Sequence, residues 1–156
     1  MAALVAYFSA GGQTRRLAQT VAAVTGAELF EIKPEVAYTK ADLNWSDKRS
    51  RSSVEMADSA SRPALAERLR SPGAYDTVYL GFPIWWYVAP TIVNTFLESC
   101  DFSGVTVIPF ATSGGSGYGN TEAALRASAP SARFKPGSVL PSRAAQDDVK
   151  HWLASQ

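Results

Sequence analysis

An apolar run from Ala2 to Phe8 stops abruptly at a hydroxyl and two glycines, in the stretch Tyr7-Phe8-Ser9-Ala10-Gly11-Gly12-Gln13-Thr14. Leu17, Ala18, Val21, Ala22 and Val24 then recur at helical spacing. A buried strand, a tight turn and an amphipathic helix follow in that order. Such a turn leaves backbone N–H groups free at a helix N-terminus, where the helix dipole favours an anion. Ser9, Gln13 and Thr14 add side-chain donors, and the glycines let a phosphate come close to the backbone. A Walker loop requires Gly-Lys-Ser/Thr, and no lysine stands here. A dinucleotide fingerprint requires G-x-G-x-x-G, but Gln13, Thr14 and Arg15 follow the glycine pair. The stretch therefore reads as a cradle for a terminal phosphomonoester. Taken alone, a plain Gly-Gly connection between strand and helix fits it equally well.

The rest of the chain continues the strand–helix alternation. Residues 27–32 alternate and read as a second strand whose charges place it at a sheet edge. Residues 63–69 are predicted as a short helix with proline in its first turn, and residues 75–81 as the third strand. Pro90 opens a helix with Val93, Phe96, Leu97 and Cys100 on one face. Residues 105–111 form an uninterrupted apolar, central strand. A weaker helix carries Ala123, Ala124, Leu125 and Ala127. A short strand at residues 138–140 and a closing amphipathic helix with Val149 and Trp152 complete the pattern. Five such units without a hairpin signal predict a single α/β domain, a doubly wound, three-layer fold on a five-stranded parallel sheet. With 156 residues, 46% of them hydrophobic and 19% charged, the chain has enough apolar material for its own core.

Residues 34–62 interrupt this rhythm. They are rich in Ser, Arg and Asp, and their charges cancel. A solvated, irregular insertion is one reading. The other is a functional loop in which Tyr38 and Trp45 cover a ligand and Arg49 and Arg51 meet a second phosphate.

Three unusual loops follow strands one, three and four, and so open on one edge of a parallel sheet, where ligands of such folds bind. The first is the phosphate turn. The second, Phe82-Pro83-Ile84-Trp85-Trp86-Tyr87, crowds four aromatic residues into a connection where bare rings are costly. It reads either as a hydrophobic cap or as a stacking wall for a flat heterocycle. The third presents Thr112, Ser113, Gly114, Gly115 and Ser116, whose amides and hydroxyls can bond the edge of such a ring, with Tyr118 as a further aromatic face. A terminal phosphate, a flat ring between aromatics and donors along its edge together describe FMN.

These loops resemble those of the flavodoxin-like FMN proteins, in particular a bacterial subgroup with Tyr-Phe-Ser-x-x-Gly-x-Thr, Gly-x-Pro-Ile-Trp-Trp and Thr-Ser-Gly-Gly-Ser motifs. They stand here at residues 7–14, 81–86 and 112–116, and Tyr38, Glu55 and Arg62-Pro63 extend the likeness into the insertion. The resemblance implies strand order 2-1-3-4-5 and non-covalent FMN. It assigns the phosphate to Ser9, Gln13 and Thr14 with the intervening Ala10, Gly11 and Gly12. The isoalloxazine falls to Pro83 through Trp86 with neighbouring Tyr87, and its polar edge to Thr112 through Ser116. Gly11 replaces a hydroxyl and Gln13 an asparagine common among relatives, which implies one or two fewer phosphate bonds. Beside the ring, many relatives use a glycine peptide that rotates during reduction. Tyr87 and Val88 enter positive φ only at a cost of roughly 1–2 kcal/mol, which implies two-electron behaviour.

The leading expectation is a redox protein that passes electrons through FMN to a small-molecule or protein partner. The alternatives are an NAD(P)H-dependent quinone, nitro-compound or flavin reductase, and a non-enzymatic flavin-binding or redox-sensing module. A net charge of +1 argues for neither nucleic acid nor an acidic surface, and departs from the strong acidity of many flavodoxins. No apolar run approaches the ~20 residues of a membrane span, and the start lacks a basic leader region. A cytoplasmic protein is expected. Cys100, the one cysteine, reads as a packed thiol and His151 as a surface residue. No spacing of His, Cys and carboxylates points to a metal.

Overall fold

The computed structural model describes residues 2–156. In chain order the elements are β1 (Ala3–Tyr7), α1 (Gln13–Thr25), β2 (Glu28–Glu31), α2 (Arg51–Ala57), β3 (Thr77–Pro83), α3 (Thr91–Glu98), β4 (Thr106–Thr112), α4 (Thr121–Ser128), β5 (Arg133–Phe134), β6 (Ser138–Val139) and α5 (Gln146–Ala154). The strands are parallel in the order β2-β1-β3-β4-β5, with β6 also on β4. Winding reverses after β1, because β2 lies on one side of it and β3 on the other. The charged β2 is an edge, as expected.

Alternation along β1 divides the core between two layers. Leu4, Ala6 and Phe8 face a cluster built with Ile92, Val93, Phe96 and Leu97 of α3 and Leu125 of α4. Val5 and Tyr7 face the opposite cluster, with Leu17, Ala18 and Val21 of α1 and Val149 and Trp152 of α5. A strand apolar on both sides belongs in the middle of such a sandwich.

Two expectations are corrected. Residues 63–69 form no helix. They run extended against residues 33–35, where the Glu35 N–H donates to the Ala64 carbonyl and the Ala66 N–H to the Lys33 carbonyl, each at 2.8 Å. Cross-chain bonds of this kind take up the groups a helix would use internally. The crossover helix is instead α2, inside the segment that read as irregular, and the Ser50 hydroxyl accepts the Ser53 N–H at its start. The fifth strand is also in two pieces. β5 aligns Arg133 with Thr106, whereas β6 aligns Ser138 with Phe110, a register slip of one residue across the intervening Pro136-Gly137. Proline lacks a donor for the ladder, and an edge strand tolerates that loss.

Residues 34–62 are stapled down rather than loose. Ser61 shares a 2.8 Å hydroxyl bond with Thr91 and donates to the Glu55 carbonyl. Arg62 makes a bidentate pair with Glu98 at 2.9 and 3.0 Å.

Candidate functional site

The three loops singled out in the sequence meet at the carboxyl ends of the strands, beside the β1/β3 reversal where ligands of open α/β sheets bind. At the first, Gly12 caps α1 with φ 92°, a left-handed conformation that only glycine adopts freely. The Ser9 hydroxyl accepts from the Gly12 and Arg15 N–H groups, both at 3.1 Å, and so braces the turn from within. The Thr14 hydroxyl does not face outward. It is buried and bonded at 2.8 Å to the hydroxyl of Thr112, the last residue of β4, so that this bond joins the first loop to the third. A short side chain one residue into α1 points at the sheet, and β4 supplies the matching hydroxyl there.

The second loop closes on itself. The Trp85 N–H donates to the Val88 carbonyl at 2.9 Å and the Val88 N–H to the Trp85 carbonyl at 3.2 Å. The two central residues, Trp86 and Tyr87, lie at φ 50° and 66°. Positive φ at both is the signature of a type I′ turn, which normally selects Asn-Gly. The expected cost of positive φ at Tyr87 is already carried by the resting turn, so the argument from it for two-electron behaviour does not hold. The third loop and the start of α4 secure the turn: the Thr121 hydroxyl, which donates to the Tyr118 carbonyl at 2.5 Å, lies 3.5 Å from the Tyr87 carbonyl, and Gly119 packs so closely that a Cβ there would lie 2.2 Å from the same oxygen. The Ile84 N–H donates to the Thr112 carbonyl at 2.8 Å, which extends the β3–β4 ladder into the loops.

Within the third loop, the Ser113 hydroxyl donates to the Ser116 carbonyl at 2.5 Å and accepts the Gly115 N–H at 3.1 Å. These bonds curl the Gly-rich run into a compact bend. The Tyr118 ring turns inward near Phe82 and Gly137. Among the described residues its buried hydroxyl has no hydrogen-bond partner, and burial pushes its pKa up.

A cleft of about 870 Å³ opens between the loops. Its lining includes Ala10, Gly11 and Gln13 of the first loop, Pro83 through Tyr87 of the second and Thr112 through Ser116 of the third. Of the loop residues singled out in the sequence, Ser9, Gly12, Thr14 and Tyr118 are not on its wall, and of the insertion's candidates Tyr38, Arg49 and Arg51 are not either. The first three build the turn beneath it, and Tyr118 is packed inside. Trp86 and Tyr87 are 45% and 62% exposed, bare aromatic surface concentrated at one opening.

The insertion adds Leu43, Trp45 and Ser52 to the wall, with Trp45 76% exposed, and the segment after β6 adds Ser142. Trp45 thus stands where a cover is expected. Leu43, Ser52 and Ser142 carry no local signal of this role, although Ser142 follows the fifth strand and the rule that sites gather at strand ends could have flagged it. Arg51 does not serve a second phosphate. It binds Glu55 at 3.0 Å and the Val36 carbonyl at 2.6 Å, and lies 3.8 Å over the Tyr38 ring.

The two lone reactive residues lie elsewhere. Cys100 lines a separate hollow with Leu97 and Phe102, and burial pushes its thiol pKa up. His151 is exposed on α5. Among the described residues no cluster of His, Cys and carboxylates is placed to hold a metal, and no helix is long and apolar enough to cross a membrane.

A protein-family model described as Flavodoxin matches residues 2–156. A candidate flavoprotein from Bacteroides uniformis ATCC 8492 is 53% identical, with 98% of this chain and 97% of that one covered and a TM-score of 0.93. Another, from Bacteroides eggerthii DSM 20697, is 47% identical over 99% of this chain and 96% of that one, also at a TM-score of 0.93. A flavoprotein from Lactobacillus acidophilus NCFM, solved in complex with FMN, shares the fold at 18% identity and a TM-score of 0.72, covering 97% and 98%. No curated protein sequence matches the chain.

Proposed function

Because this chain belongs to the flavodoxin family, we propose that it binds FMN non-covalently in the cleft and works as a redox protein that transfers electrons through it. The observation that carries this reading is the turn at Trp86–Tyr87: two aromatic residues held in a conformation they disfavour, with their rings bare on a cleft whose other walls are amides and hydroxyls. Backbone strain persists where the surrounding structure enforces it, and it gathers at ligand sites. Around that turn the residues fit the three parts of FMN.

The α1 N-terminus offers the amides of Gly11, Gln13 and Thr14 to the phosphate, the Gly12 N–H being held by Ser9, with the Gln13 side chain at the rim. Ser9 shapes that loop, and Thr14 contributes through its amide, since its hydroxyl is engaged by Thr112. Trp85, Trp86 and Tyr87 face the flat ring, and the 112–116 bend supplies donors and acceptors for its polar edge. Bound FMN supplies one- and two-electron chemistry between donor and acceptor. The chain's part is to fix the ring, to exclude water from its wall side and to leave an edge open to a partner.

The test is the visible spectrum of the purified protein and of the flavin-stripped protein titrated with FMN. Stoichiometric FMN with quenched fluorescence supports the reading, and a protein that takes up no flavin refutes it. One observation favours a second reading, an NAD(P)H-dependent reductase: the insertion brings Leu43, Trp45 and Ser52 to the cleft as an additional wall, as a small-molecule donor site requires. Bleaching of the bound flavin within seconds of adding NADPH distinguishes this from a carrier that only protein partners reduce.

A further inference from the structure

Tyr38, Arg51 and Glu55 do not line the cleft themselves, yet they form a connected polar group directly behind its wall. The Tyr38 hydroxyl donates to Glu55 Oε1, while Arg51 holds Glu55 Oε2 at 3.0 Å and lies over the Tyr38 ring. The same ring also meets the bases of both loops of the site. Its edge contacts are with Phe8 at 5.7 Å and Trp85 at 5.6 Å between centroids, and Phe8 and Trp85 meet each other at 5.6 Å. Phe8 immediately precedes Ser9 and the phosphate turn. Trp85 is the first residue of the strained turn. One clamped ring therefore sits where the bases of the two loops converge.

We propose that Tyr38 is a positioning residue that sets the separation of the phosphate turn from the aromatic wall, and so makes the site select a flavin with a terminal phosphate over one without. This rests on the FMN reading above. FMN is a two-point ligand: once its ring is seated, the phosphate binds at an effective concentration set by how well the tether spans the two points. A shift in their separation weakens the phosphate's contribution and leaves ring binding largely intact. The arginine–glutamate pair holds the Tyr38 hydroxyl and covers its ring, and gives it little freedom to yield.

The test titrates flavin-stripped full-length chain with FMN and with riboflavin, which carries the same ring and no phosphate, by quenching of flavin fluorescence. Tyr38→Leu is expected to lower the ratio of FMN to riboflavin affinity by about tenfold, whereas Tyr38→Phe, which keeps the ring, holds it within about twofold. Should Tyr38→Leu fail to fold, Arg51→Met leaves all three rings in place and lowers the same ratio by about threefold. An unchanged ratio in the folded variants overturns the proposal, even if their melting temperatures fall. An equal loss for both flavins also overturns it. If the wild-type chain binds neither flavin, the FMN reading itself fails.

Discussion

Replacing Gly119 by alanine tests whether the third loop holds the strained turn in place. Gly119 lies at φ 59°, so an alanine there carries a left-handed strain of roughly 1–2 kcal/mol. Its Cβ would also stand 2.2 Å from the Tyr87 carbonyl oxygen and 2.8 Å from Tyr87 Cβ. That oxygen belongs to backbone closed by the Trp85–Val88 bonds and approached by the Thr121 hydroxyl, so it cannot swing aside as the end of a flexible side chain would. Overpacking of this kind adds about 1–3 kcal/mol. The sum is about 2–5 kcal/mol, and in a chain of this size each kcal/mol moves the melting temperature by about 2–4 °C. The expected fall is thus about 4–20 °C by circular dichroism, with a change in tryptophan fluorescence as the Trp85–Trp86 turn shifts. Gly117, two residues away, has no positive φ, and a Cβ added there would meet no atom within 4 Å, so Gly117→Ala serves as the control. It is neutral or stabilises by about 0.4–1 kcal/mol through the unfolded chain. A Gly119→Ala protein that melts with the control would refute the claim that this contact locks the turn.

Three other expectations follow from named contacts. Thr14→Val and Thr112→Val each strand a buried hydroxyl and cost about 1–3 kcal/mol, while the double variant loses less than the sum; additive effects in urea melts would show that the 2.8 Å bond is not shared as described. Replacing Trp86-Tyr87 by Asn-Gly suits a type I′ turn and is expected to raise flavin-free stability by about 1 kcal/mol. The same change lowers FMN affinity by about tenfold, and a lower melting temperature would show that the turn is not strained. Arg62 holds the Glu98 carboxyl below its ordinary pKa, so their pairing contributes above about pH 4.3 and is lost as pH falls through the lower folded value. With both side chains about a third exposed or more, Arg62→Met costs only about 0.5 kcal/mol at pH 7, and the gap to wild type should close as pH falls through the lowered folded value; a gap that widens in acid would reverse the assignment.

Much of this molecule is legible along the chain. Leu4 to Phe8 are apolar at every position because β1 is covered on both sides, and a strand followed by two glycines and a helical repeat states a β–α turn locally. The convergence of the three loops follows too, since parallel strands joined by helices must all end on one edge. Local rules failed where a partner distant in sequence decided the outcome. Residues 63–69 have a plausible helix start, but the extended segment at 33–35 claimed their backbone. Arg51 reads as a free cation until the Tyr38 ring and the Val36 carbonyl, from earlier in the insertion, are folded against it. Thr14 looks like a phosphate donor until Thr112, at the end of a strand far along the chain, takes its hydroxyl.

The order of residues alone settled the fold and the rim on which a ligand must lie, because hydrophobic period and turn chemistry act over a few positions. Tertiary structure alone decided which side chains line the cleft, which brace it from beneath, and that Trp86 and Tyr87 bear a left-handed backbone. Those outcomes depend on contacts between segments far apart in the chain, where packing outweighs a strain of roughly one or two kcal/mol that no local rule would predict.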